Sequence, residues 1–132
     1  MEITYKTDIL PGTEQIINVY KSSGINRPVE DAERIKKMYD NSDVIVTAWH
    51  DEELVGISRA LTDFCYCCYL SDLAVSKPFQ KQGIGRKLVE LTKEKIGNEC
   101  MLLLLAAPAA IDYYPKIGLE KVENGFIINR SQ

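Results

Sequence analysis

Apolar positions recur at helical spacing in several stretches of this chain, and alternate or run together in the stretches between them. Glu2 to Thr7 reads as a short first strand. Pro11-Gly12 then breaks the chain, and Thr13 is a suitable N-cap for a helix through Ser23. Ile16, Ile17, Val19 and Tyr20 give that helix an apolar stripe, and Gly24 stops it. After Asn26-Arg27-Pro28, the residues Val29, Ala32, Ile35 and Tyr39 predict a second helix ending near Asn41. The pattern then turns to strands. Asp43 to His50 and Leu54 to Asp63, joined by Asp51-Glu52-Glu53, predict a hairpin, and Cys67 to Ser76 a further strand ended by Lys77-Pro78. Ile84, Leu88 and Leu91, with Val89, Thr92 and Ile96 beside them, predict a third helix closed by Gly97-Asn98. Met101 to Ala107 is an unbroken apolar run, the mark of a strand covered on both faces. Pro108 opens a short fourth helix to about Lys116, Gly118 ends it, and Leu119–Val122 and Gly125–Asn129 are expected as closing strands. The order predicts an α+β sandwich over residues 1–132 as a single domain: about four helices on a mixed, mostly antiparallel sheet of 6–7 strands.

Composition narrows the function classes. The 132 residues are 45% hydrophobic and 27% charged, the balance of a globular chain with one core. A formal net charge of −3 lacks the basic face that displaces counterions from nucleic acid, so no nucleic-acid partner is expected. No apolar run approaches the ~20 residues of a membrane span, and the first residues show no basic-then-apolar leader, so the expected location is the cytoplasm. Cys65, Cys67 and Cys68 lie together and Cys100 apart, with His50 the only histidine. No second ligand pair completes a metal site, so the cysteines are expected as reduced thiols packed like small apolar groups.

The segment Gln80-Lys81-Gln82-Gly83-Ile84-Gly85-Arg86 lies between an apolar strand and an amphipathic helix. The first turn of a helix carries unpartnered N–H groups and partial positive charge, and glycines let a phosphate approach the backbone. Lys81, Arg86 and Lys87 add full positive charge. Leu88 stands where a dinucleotide fingerprint needs a small residue, and Gly85-Arg86-Lys87 does not fit a P-loop.

Gln80-x-x-Gly83-x-Gly85, directly after Leu70-Ser71-Asp72-Leu73-Ala74-Val75, resembles the acetyl-coenzyme A signature of the GNAT N-acetyltransferase superfamily. Ala110 to Leu119, with Tyr113-Tyr114 and Gly118, resembles that family's later motif. The resemblance implies an enzyme that moves an acetyl group from acetyl-coenzyme A, its co-substrate, to a primary amine by direct attack. It implies that the backbone of Leu73, Ala74 and Val75 holds the pantetheine arm and the amides from Lys81 to Arg86 the pyrophosphate. The arm would lie between splayed fourth and fifth strands. Tyr114 would be the acid that serves the departing thiolate, with Tyr113 packing beside it. Asp72 is the first candidate for proton removal or amine binding and Asp63 the second, the latter weighed against a solvent carboxylate or a partner of Arg59. The acceptor would enter over the first two helices and the loop Ser22 to Pro28. Two positions depart from the family pattern: Leu119 where phenylalanine is frequent, and Ala106-Ala107-Pro108 where many members carry an asparagine. No metal is implied, a homodimer is an analogy, and the acceptor stays open. An acyl-coenzyme A sensor without turnover is the alternative reading.

Overall fold

The computed structural model describes residues 2–132. Strand β1 (Thr4–Lys6) leads into helices α1 (Thr13–Ser23) and α2 (Ala32–Asp40), then strands β2 (Val44–His50), β3 (Glu53–Thr62) and β4 (Cys67–Val75). A 3-10 turn at Lys77–Phe79 precedes helix α3 (Ile84–Ile96). Strand β5 (Met101–Leu103), a second 3-10 turn at Pro108–Ala110 and the one-turn helix α4 (Tyr113–Lys116) follow.

The sheet is ordered β1-β2-β3-β4-β5 and is antiparallel except for the parallel pair β4–β5. It separates two cores. On one face α1 and α2 set Ile16, Val19, Tyr20, Ile35 and Tyr39 against Trp49, Leu54, Ile57 and Ala74. On the other, α3 sets Ile84, Leu88 and Ile96 against Val44, Val46, Val55, Ala60 and Cys68. Gly56 is needed at that second contact, because a Cβ there would come within 3.2 Å of both Ile84 and Leu88.

The predicted boundaries of α1 and of β2 to β4 agree with the structure to about a residue. Gly12, in extended conformation, is the N-cap of α1, with Thr13 the first helical residue. α2 starts later than Val29, because Asp31 caps it by accepting from the Arg34 N–H at 3.1 Å. The sheet has five strands among the described residues, not six or seven. β5 stops at Leu103, and neither 119–122 nor 125–129 forms a strand. Alternating side chains provide a strand preference, but a ladder needs a neighbouring edge at the right distance. The chain leaves the sheet after Leu103 and does not return to pair with it, so Phe126 and Ile128 stay fully exposed.

Candidate functional site

Two devices in the sheet create the site. First, β4 and β5 pair only over Cys67–Tyr69 and Met101–Leu103. Beyond Tyr69 the edge of β4 that faces β5 has no strand beside it, while its other edge pairs Leu73, Ala74 and Val75 with Ser58, Ile57 and Gly56 of β3. Second, the β3–β4 register shifts between Arg59 and Ala60: Arg59 lies opposite Asp72 but Ala60 opposite Leu70, so Ser71 is the extra residue of a bulge. On an unbroken strand Cys68, Asp72 and Ala74 would share a face. With the bulge, Cys68 packs toward α3 and Ala74 toward α1, and Asp72 turns with Ala74 to the side of α1 and α2.

The glycine turn abuts the free edge of β4. Gln80 anchors it, donating from Nε2 to the Val75 carbonyl at 2.8 Å. Lys81 and Gly83 both adopt positive φ, 66° and 85°. Gly83 caps α3 in left-handed conformation, and the first intrahelical bond runs from the Lys87 N–H to the Gly83 carbonyl. The amides of Ile84, Gly85 and Arg86 lie ahead of that bond, where a helix offers them no acceptor. No acidic side chain sits in the first turn of α3. Ile84 is buried in the core and positions the turn, whereas Lys81, Gln82 and Arg86 are exposed, Arg86 pairing with Glu90 at 3.2 Å. Nothing lies within 4 Å of a Cβ built on Gly83, but one on Gly85 would meet the Tyr113 hydroxyl at 3.0 Å. Tyr113, read from the sequence as packing, therefore brings a phenol to the mouth of the helix.

Tyr114 is half-buried, edge-on to Tyr113 with ring centroids 5.2 Å apart. Burial, then the neighbouring Tyr113, raises its pKa, so the phenol keeps its proton at neutral pH. It lines a cavity of about 1200 Å³ between α3, the run 102–106 and the segment after Gly118, with Tyr69 of β4 among the other walls. No residue of the turn 80–86 and none of Leu73–Val75 lines that cavity. Tyr114 lines the cavity, and its neighbour Tyr113 reaches Gly85 of the turn.

Asp72 is the hub of a buried polar network. It is fully buried, and four donors reach its carboxylate. Oδ1 accepts from Arg27 Nε at 2.6 Å and from the Ser71 hydroxyl at 3.0 Å, while Oδ2 accepts from Arg59 Nε at 2.7 Å and from the Tyr20 hydroxyl at 2.6 Å. Tyr20 is hydrogen-bonded in turn to the Tyr39 hydroxyl, over whose ring the Arg59 guanidinium lies. Burial pushes the Asp72 pKa up, but the hydrogen bond and charge of Arg59 and the charge of Arg27 outweigh it and hold the carboxyl below its ordinary value. A carboxylate this well satisfied is a weak base. It ties α1, the α1–α2 loop and β3 together on the side of the sheet away from α3. The structure does not bring Asp72 and Tyr114 into contact.

Asp63 is an exposed carboxylate, as one of the two expectations had it, and it is not bonded to Arg59. Its Oδ1 accepts the backbone N–H groups of Cys65, Tyr66 and Cys67 at 2.9, 2.8 and 3.1 Å, closing the β3–β4 turn. Those amides lower its pKa to about 2. The cysteines also divide. Cys68 and Cys100 are buried as expected, whereas Cys65 and Cys67 are exposed on that turn, where no core is available to cover them. Sequence reasoning missed Arg27 and the Ser71 bulge. An arginine in a polar loop carries no signal of its partner, and a bulge depends on register.

Residues 12–119 match the model of the Acetyltransferase (GNAT) family. The chloroplastic GCN5-related N-acetyltransferase 2 of Arabidopsis thaliana is 31% identical over 80 residues, 57% of this chain and 30% of that protein. The chain thus spans under a third of that relative's length. A solved structure from meticillin-resistant Staphylococcus aureus, named a probable acetyltransferase, superimposes with a TM-score of 0.83 at 24% identity, over 98% of this chain and 100% of that one. The PaiA N-acetyltransferase of Thermoplasma acidophilum, solved in complex with coenzyme A, gives 0.73 at 18% identity, over 96% and 94%. At such identities these two likenesses speak for the fold. The family match takes in both the glycine turn and the tyrosine pair, and the chain belongs to the GNAT acetyltransferase family.

Proposed function

We propose that this protein transfers the acetyl group of acetyl-coenzyme A to a primary amine by direct attack in a ternary complex. The observation that carries the reading is the freed edge of β4 running into an open, cationic helix start. An amide-rich arm can add to such an edge as a strand would. Leu73, Ala74 and Val75 supply backbone groups for it, and the amides from Lys81 to Arg86 supply donors for a pyrophosphate. The residues fit a diphosphate guest, since the turn is open at Gly83, has basic neighbours, and the first turn of α3 holds no acidic residue. The 2.8 Å bond from Gln80 to the end of β4 holds the two parts at a fixed offset.

Acetyl-coenzyme A brings an activated thioester, and the amine adds to its carbonyl carbon. As the C–S bond breaks, the sulfur takes the electron pair and needs a proton or a hydrogen bond. Tyr114, held protonated by burial, is the group we assign to that task. Asp72 keeps its place in the site, but by its charge and its grip on Arg27 and Arg59; the proton lost by the amine passes to water.

The test is Tyr114→Phe, with coenzyme A binding followed by calorimetry and transfer followed by thiol release. Binding should persist within about twofold while turnover falls about 10²-fold, the scale of a lost general acid. Unchanged turnover overturns the role of Tyr114. Tight binding by the wild type with no transfer to any amine class would make the protein an acyl-coenzyme A sensor.

A further inference from the structure

The network around Asp72 carries more positive than negative charge. Two guanidiniums meet one carboxylate, and the other participants, Tyr20, Tyr39, Ser71 and Ser42, are neutral. Burial holds Tyr20 and Tyr39 in their protonated forms. Arg59 commits four of its five N–H groups, to Asp72, Ser71 Oγ, Ser42 Oγ and the Met38 carbonyl, and it is 8% exposed. Arg27 differs. Its Nε–H goes to Asp72, one Nη1–H to its neighbour's carbonyl at Asn26, and one Nη2–H to the Ser71 carbonyl at 2.6 Å. A guanidinium has five N–H donors, so two remain without a hydrogen-bond partner among the described residues, on a side chain a quarter exposed.

Position adds to this. Arg27 belongs to the loop between α1 and α2, yet both ends of its fork are fixed to Ser71 and Asp72 on β4. Those two residues form the bulge, and the β4 edge becomes free three residues earlier, after Tyr69. At ~3.3 Å per residue of strand, the fork lies on the order of 10 Å from where the sheet opens. Its partners on β4 hold it in one orientation, so its two remaining N–H groups are pre-oriented for a planar anion.

We infer that Arg27 reads a carboxylate on the acceptor, so that the substrate is a small amine that also carries a carboxylate. This rests on the acetyltransferase reading above, with the acceptor entering on the side of α1 and α2. One monoanion neutralises the surplus charge of the network. A polyamine would bring further positive charge to a site that already has one in excess.

The experiment compares free amino acids with their carboxamides as acceptors from acetyl-coenzyme A, with spermidine as the polycation arm. In parallel, calorimetry with coenzyme A present compares N-acetyl amino acids with N-acetyl amino acid amides. Wild type should favour the carboxylate of at least one matched pair by about 10- to 100-fold, the scale of a charge-assisted pair. Arg27→Met should erase that preference, the carboxylate arm falling about 10- to 100-fold further than the carboxamide arm while coenzyme A affinity is retained. Arg27→Lys, which keeps charge but not the fork, should retain part of it. The inference is overturned if spermidine or the carboxamides are preferred, or if Arg27→Met weakens both arms alike, which would make Arg27 a support of the loop only. It is overturned too if neither transfer nor calorimetry distinguishes the pairs. Coenzyme A failing to bind wild type would instead strike the acetyltransferase reading beneath it.

Discussion

Replacing Asp72 by asparagine keeps the shape of the hub and removes its charge. Arg59, 8% exposed, and Arg27, a quarter exposed, then face each other across a neutral amide. Breaking a buried pair from one side costs about 3–5 kcal/mol, because the remaining charge stays desolvated and unpaired. Part of that cost is recovered, since an amide oxygen still accepts one guanidinium, so about 3 kcal/mol is expected. For a chain of this length that corresponds to a fall in Tm of roughly 10 °C. The sign of the pH dependence adds a stricter condition. Asp72 titrates below its unfolded value of about 4. Its contribution is therefore fully present above pH ~4 and is lost as pH falls through the folded pKa. Urea melts of wild type and Asp72→Asn should differ by about 3 kcal/mol at pH 7, and the gap should close as the solution is acidified below pH 4. Adding Arg27→Met to Asp72→Asn should restore some stability, because it withdraws one of the two unpaired cations. A gap under about 1 kcal/mol, or one that stays constant down to pH 2.5, would refute the account of Asp72 as an ionised hub.

Two further outcomes test the glycine turn and the β3–β4 hairpin. Gly85→Ala places a methyl 3.0 Å from the Tyr113 hydroxyl, the end of a side chain that can swing aside, and alanine gains up to about 1 kcal/mol of helix propensity. Folding stability should change by less than about 1 kcal/mol, while coenzyme A affinity falls about tenfold because the methyl overlies the open amides; an unaltered affinity by calorimetry would place the pyrophosphate elsewhere. Asp63→Asn removes the charge that accepts three backbone amides. The wild-type hairpin should protect the amides of Cys65–Cys67, relative to their intrinsic exchange rates, more than the variant does above pH 4, and the two should converge as pH falls toward about 2. Identical exchange in both proteins would show that the carboxylate does not hold the turn.

How much of this could be read from the chain depended on whether a feature was local. The bounds of α1, the glycine turn and the body of α3 follow from spacing, breakers and unpaired amides within a few residues of each other, and the structure places them as the pattern indicates. The tyrosine pair and the glycine signature likewise pointed to the family from contiguous residues. Other features depended on partners far away in sequence. Asp72 turns toward α1 because Ser71 is an extra residue against β3, and the face reversal that follows from one extra residue is invisible to alternation. Arg27 meets Asp72 across 45 positions of sequence. Leu104–Ala107, 119–122 and 125–129 have strand-like composition but form no strand, since composition does not supply the neighbouring edge. The sequence by itself determined which segments could be helix, strand and glycine turn, because those are short-range steric and hydrogen-bonding preferences. Only the tertiary structure decided which charges share one buried carboxylate and where the sheet opens, because register and burial are properties of the assembled chain.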